Sequence, residues 1–139
     1  MLRSRQLIYA ILCALMLGAC DDPPTFSSSV PMYPVRINID TNVGSFIHFI
    51  PTAIYSHVII NKDGYFHDGK FIQKPLATDA WGYAGVVVYI NMMGGYDAYD
   101  LCCPNCVADR QACDVDALFA TCPKCGEQYD LGSGTAVPT

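Results

Sequence analysis

Six cysteines crowd the C-terminal part of this 139-residue chain: Cys102, Cys103, Cys106, Cys113, Cys122 and Cys125. Four of them form two C-x2-C pairs, Cys103-Pro104-Asn105-Cys106 and Cys122-Pro123-Lys124-Cys125, with 15 residues between the pairs. Two thiolates on one tight turn can face a single ion, and a second such pair closes a tetrahedron. That spacing serves structural zinc sites and four-thiolate iron sites alike. Gly126, directly after the second pair, suits the left-handed turn that lets backbone amides face the sulfurs. Spacing leaves the metal open. It also leaves open disulfides across the two knuckles, since six thiols can pair in 15 ways in an oxidising compartment. A lone C-x2-C could instead be a thioredoxin-like redox dithiol, with residues 107–120 passing as a helix on propensity. Against this, only 33 residues follow Cys106, too few for the rest of that fold, and the second pair would be unexplained.

The oxidising compartment is itself read from the sequence. Arg3 and Arg5 precede an apolar run over residues 7–17, which Gly18, Ala19 and Cys20 close. The run is too short to span a bilayer, which takes about 20 apolar residues. It has the basic, apolar and small-residue parts of a secretory signal. Leu17-Gly18-Ala19-Cys20 resembles the lipobox of bacterial lipoproteins, and the resemblance implies a signal peptide over 1–19 and a lipid on Cys20. Cys13 lies inside the removed segment. Losing Arg3 and Arg5 and no acid leaves 6 basic and 13 acidic residues, a net charge of -7. An acidic chain lacks the basic surface that nucleic-acid phosphates require. Residues 20–34, rich in Pro, Ser and Asp, read as the lipidated cysteine and a flexible tether. The expected location is the cell envelope, anchored to a membrane by lipid.

The elements that must position the cysteines read as strands. Val35, Ile37 and Ile39 alternate with polar residues, and residues 54–60 are β-branched and aromatic. Asn61-Lys62-Asp63-Gly64 and Asp68-Gly69 carry turn chemistry. Residues 85–90 (GVVVYI) are the strongest strand signal. The pattern then predicts a hairpin through Gly94-Gly95, with positive φ at both glycines, into the alternating stretch 96–101. Residues 65–84 read as a long loop with one short strand. The fold class expected over 35–139 is mostly β, with small antiparallel sheets and two cysteine knuckle loops. His48, His57 and His67 lie far upstream of the knuckles and are left out of the ligand set. Trp81, Tyr83, Tyr96 and Tyr99 read as core and rim. No Ser, His and acid grouping stands out for hydrolysis.

The flanks of the knuckles add a family likeness. Val86-Val87-Val88-Tyr89, Gly94-Gly95, residues 96–100 and Cys103-Pro104 resemble the strand, turn and first cluster loop of a Rieske domain. Cys122-Pro123-Lys124-Cys125-Gly126 with Tyr129-Asp130-Leu131 resembles the second loop and the strand after it. The likeness covers about residues 83–134. It implies a [2Fe-2S] cluster with Cys103 and Cys122 as ligands and one-electron transfer to a redox partner. Asn105 and Cys125 stand where that family places its two histidines. With Cys106 as substitute, the set becomes the four thiolates Cys103, Cys106, Cys122 and Cys125, which implies a low potential for iron and suits zinc equally well. The family's closing Gly-Pro turn and strand have no counterpart before Val137-Pro138-Thr139. Cys102 and Cys113 remain as a possible bridged pair or as buried thiols. A lipoprotein start with a Rieske-like end resembles small lipoproteins of Bacteroides-type bacteria.

Overall fold

The computed structural model describes residues 29–42, 44–50 and 52–138. The signal segment, Cys20 and most of the tether lie outside them. The described residues form antiparallel sheets joined by tight turns, with two one-turn 3-10 segments at Gly44–Phe46 and Val107–Asp109 and no α-helix. The mostly β reading holds.

A five-stranded antiparallel sheet is the middle layer. Its strands are β2 (His57–Asn61), β3 (Gly64–His67), β4 (Lys70–Gln73), β6 (Val86–Ile90) and β7 (Tyr96–Asp100), in the order β4-β3-β2-β6-β7. The remaining pair, β1 (Val35–Arg36) with β5 (Ala80–Trp81), forms a separate two-stranded ladder. The strand period of two sends alternate β6 side chains to opposite faces. Val87 and Tyr89 join a core with Leu101, Ala120, Leu131 and the cysteines. Ile90 faces the other way, with Val58, Ile60, Tyr65, Phe46 and Phe49. The residues on both faces explain why 85–90 reads as one continuous apolar run.

A second, four-stranded sheet covers the Val87–Tyr89 face. It consists of β8 (Asp114–Asp116), β9 (Phe119–Thr121), β10 (Gln128–Asp130) and β11 (Thr135–Ala136), in the order β11-β10-β9-β8. The Tyr89 hydroxyl donates a buried 2.6 Å hydrogen bond to the Leu131 carbonyl and so ties the two sheets together.

Three expectations need correction, and the helix of the rejected dithiol reading is absent from residues 107–120. Residues 65–84 hold three strands, not one, because the aromatic stretches on either side of Asp68-Gly69 fold into the β3–β4 hairpin, with Phe66 edge-on to Phe71. Only Gly94 of the glycine pair takes a left-handed φ, at 74°. The Asn91 N–H and O bond Gly95 O and Gly94 N, and Asn91 Oδ1 accepts from Met93 and Gly95 N–H. This is a three-residue loop with a glycine bulge, in which one αL residue suffices. The alternation at Val35, Ile37 and Ile39 yields only the two-residue β1; Ile37 and Ile39 pack on the Phe46 core without ladder partners. Residues 107–120 are not helical: they hold a 3-10 turn and the β8–β9 hairpin. The end of the tether is also docked. The Ser29 hydroxyl bonds Pro104 O, and Tyr33 packs edge-on to Tyr83 with the Arg110 guanidinium over its ring.

Candidate metal centre

Each cysteine pair sits in a loop closed by antiparallel backbone pairing. The first follows β7, where Asp100 organises the approach. Its carboxylate accepts from the N–H groups of Tyr83, Ala84 and Cys102 and joins the turn before β6 to the start of the knuckle. Cys102 bridges Ala112, the Cys103 N–H bonds Gln111 O and the Cys113 N–H bonds Leu101 O. The second knuckle is the loop of the β9–β10 hairpin, closed where the Cys122 N–H bonds Glu127 O. Gly126 takes φ 77° and donates to Cys122 O at 2.9 Å, a conformation that Cβ sterics disfavour. The two loops, 15 residues apart and each closed by its own backbone pairing, aim at one point.

That point is a thiol cluster. The Sγ atoms of Cys103, Cys106, Cys122 and Cys125 all lie within 4.8 Å of one another. Cys103 and Cys125 are 3.6 Å apart, and Cys122 and Cys106 3.9 Å. Three of the four are buried and Cys125 is exposed, so the cluster meets solvent through a single sulfur. The set can hold a metal ion. Asn105 stays out of it and sits exposed at the tip of the first knuckle.

The surroundings stabilise negative charge unevenly. At Cys103 burial raises the thiol pKa, but hydrogen bonds from the Tyr129 hydroxyl, the Asn105 amide and neighbouring thiols outweigh it and bring it below the ordinary value. Cys106 is pushed up to about 12 by desolvation and by the thiols of Cys125, Cys122 and Cys103. At Cys125 the Glu127 amide pulls downward, yet desolvation and the Cys122 and Cys103 thiols leave it raised. Four thiols at this spacing cannot all ionise unless a cation sits among them.

Cys102 and Cys113 are free buried thiols beside the cluster. Burial pushes Cys102 up to about 11 and Cys113 up to about 12. Both line a cavity of about 130 Å³ with Val87, Tyr129 and Leu131, and they are apolar filling for that interface.

A grouping missed in the sequence lies elsewhere. His48, His57 and His67 all line one cavity, together with Ser56 and Asp68. Ser56 Oγ stands 2.8 Å from His67 Nε2 and 2.9 Å from Asp68 Oδ2. A serine, a histidine and an acid do therefore meet. The acid contacts the serine and the same Nε2 edge of the ring, so it does not orient the histidine from Nδ1 as a nucleophilic relay requires. The signal was present as a histidine at each outer end of the β2–β3 hairpin, with Asp68 next to one of them.

No protein-family model, curated protein or solved structure matches the chain.

Proposed function

We propose that the chain is a small β domain stapled by a single zinc ion on Cys103, Cys106, Cys122 and Cys125. On this reading it is a non-redox structural or binding module, held at the cell envelope by lipid on Cys20. The observation that carries it is the sulfur spacing. A metal–sulfur bond of about 2.3 Å gives a tetrahedron with edges of about 3.8 Å. Two edges of the cluster, 3.6 and 3.9 Å, bracket that value, and all its sulfurs lie within 4.8 Å of one another. A [2Fe-2S] cluster on the Rieske pattern would put Cys103 and Cys122 on one iron and Cys106 and Cys125 on the other, with sulfides between. Sulfurs on different irons then stand farther apart than one tetrahedron edge, so the Cys103–Cys125 and Cys106–Cys122 contacts would both have to open to admit it.

Electron transfer through iron is the second reading. Exposed Cys125 favours it, since one ligand at the surface gives an electron a short route to a partner protein. Hydrogen bonds from Tyr129 and the Asn105 amide to Cys103 would then set the potential.

Residues 21–139, expressed and purified without air, separate the readings by metal content and visible spectrum. The expected product is colourless with one zinc per chain. Visible charge-transfer bands with about two irons per chain would establish the cluster instead. Metal-free protein without titratable thiols would replace both readings with disulfides.

A further inference from the structure

At the end of the five-stranded sheet farthest from the β2–β3 turn, three histidines and an aspartate line one cavity. His57 opens β2 and His67 ends β3, with Asp68 in the turn beyond. In register His57 pairs with Tyr89, on the side covered by the second sheet, while His67 packs edge-on against Phe49 on the other side. Asp68 stands between them. A cavity of about 480 Å³ opens here, with His48, Tyr55 and Ala117 among its walls.

The Asp68 carboxylate is held from two directions. Its Oδ1 accepts the His57 backbone N–H at 2.9 Å and its Oδ2 accepts the Ser56 hydroxyl at 2.9 Å. Because that hydroxyl proton points at Asp68, the 2.8 Å contact between Ser56 Oγ and His67 Nε2 needs its proton from the ring. His67 is therefore an Nε2–H donor that positions Ser56, and Ser56 positions the carboxylate.

His57 Nδ1 is left over. The residue is 9 % exposed, and Nδ1 is buried without a hydrogen-bond partner. Its nearest charged atom is Asp68 Oδ1 at 3.5 Å, too far for a hydrogen bond. An imidazole nitrogen and an oriented carboxylate oxygen at that separation fit two ligands of one ion. Metal–nitrogen and metal–oxygen bonds of about 2.0–2.2 Å give a tetrahedral edge of about 3.4 Å. A buried polar atom left unpaired is otherwise an unexplained cost. The backbone is also strained around the cavity: Tyr55, Asp68 and Ala117 take φ of 67°, 45° and 49°, conformations that non-glycine residues adopt at an energetic cost and that cluster at binding sites.

We propose that this cavity binds a divalent first-row transition-metal ion between His57 Nδ1 and Asp68 Oδ1. Exposed His48 on the cavity wall closes onto the ion, and water fills the remaining position. Nitrogen and oxygen ligands suit zinc, nickel or copper. The site is separate from the cysteine centre and does not depend on which metal that centre holds.

The test is calorimetric titration of zinc into the full chain after one equivalent has loaded the cysteines, with imidazole 15N resonances recorded in parallel. A second equivalent should bind and shift the His57 Nδ1 resonance. His57→Gln and Asp68→Asn should each weaken that second equivalent by about tenfold or more, while leaving the first unchanged. Asn at 68 keeps an oxygen for the His57 N–H and protects the fold. His48→Ala, on an exposed side chain, should weaken it by a smaller factor. The proposal is overturned if no second equivalent binds at millimolar zinc. It is equally overturned if one binds undiminished in both His57→Gln and Asp68→Asn, or binds without moving the His57 resonance.

Discussion

The two cores of this domain are built from different materials. On one face of the five-stranded sheet, Phe46, Phe49, Val58, Ile60, Tyr65 and Ile90 make a hydrocarbon and aromatic core. On the other face, four of the nine buried residues are cysteines: Cys103, Cys106, Cys113 and Cys122. Phenylalanine and isoleucine bury enough apolar area to hold strands together by themselves. A thiol buries far less, and β8 to β11 are only two or three residues long. The first core needs only water to exclude. The second gathers Cys103, Cys106 and Cys122 with Cys125 into a set that can hold a metal, and on the proposed zinc reading fold and metal are one problem in that half.

On the proposed zinc reading, this contrast is broken most directly by removing the ion. A structural zinc contributes about 10–16 kcal/mol in small metal-folded peptides, comparable to the whole stability of a domain. Chelation should therefore abolish amide protection in β8–β11 and in both knuckles while β2 and β6 remain protected, as hydrogen exchange can read. The converse experiment attacks the hydrocarbon core. Ile60→Ala should cost about 2–5 kcal/mol in urea unfolding, with metal content unchanged.

Smaller effects sharpen the comparison. Tyr129→Phe removes the hydroxyl that lies 3.5 Å from Cys103 Sγ. Competition with a chelator should show zinc held about tenfold more weakly. The least effect comes from alkali. Burial, with Asp79 beside Tyr65 and Asp97 beside Tyr89, raises both phenols well above the ordinary tyrosine value. A raised folded pKa supplies stability below the unfolded value, about 10, that is lost as pH rises beyond it. Urea midpoints should hold level to about pH 9 and decline above 10, and Tyr65→Phe should make the decline shallower.

What could be read in the sequence follows the same division. The knuckles were legible because metal ligation demands fixed residue types at fixed spacing, and Cys103, Cys106, Cys122 and Cys125 do converge. The central strand was legible because Val86–Ile90 is apolar on both faces. The β3–β4 hairpin was not, since Tyr65-Phe66-His67 and Lys70-Phe71-Ile72-Gln73 mix aromatic and polar residues without clean alternation, and β4 is mostly exposed. Residues 107–120 could pass as a helix only on local propensity, whereas the β8–β9 hairpin belongs to the sheet that carries the second knuckle. The histidine cavity was missed for a related reason. His57 and His67 are ten residues apart, and only strand pairing places them on either side of Asp68.

The central claim is that one ion sits on four thiolates. X-ray absorption at the zinc edge, on protein loaded with a single equivalent, tests it most directly. The account predicts four sulfur neighbours at about 2.3 Å and no lighter ligand. Nitrogen or oxygen neighbours in place of any sulfur, or a chain that takes up no zinc with its cysteines reduced, would contradict it.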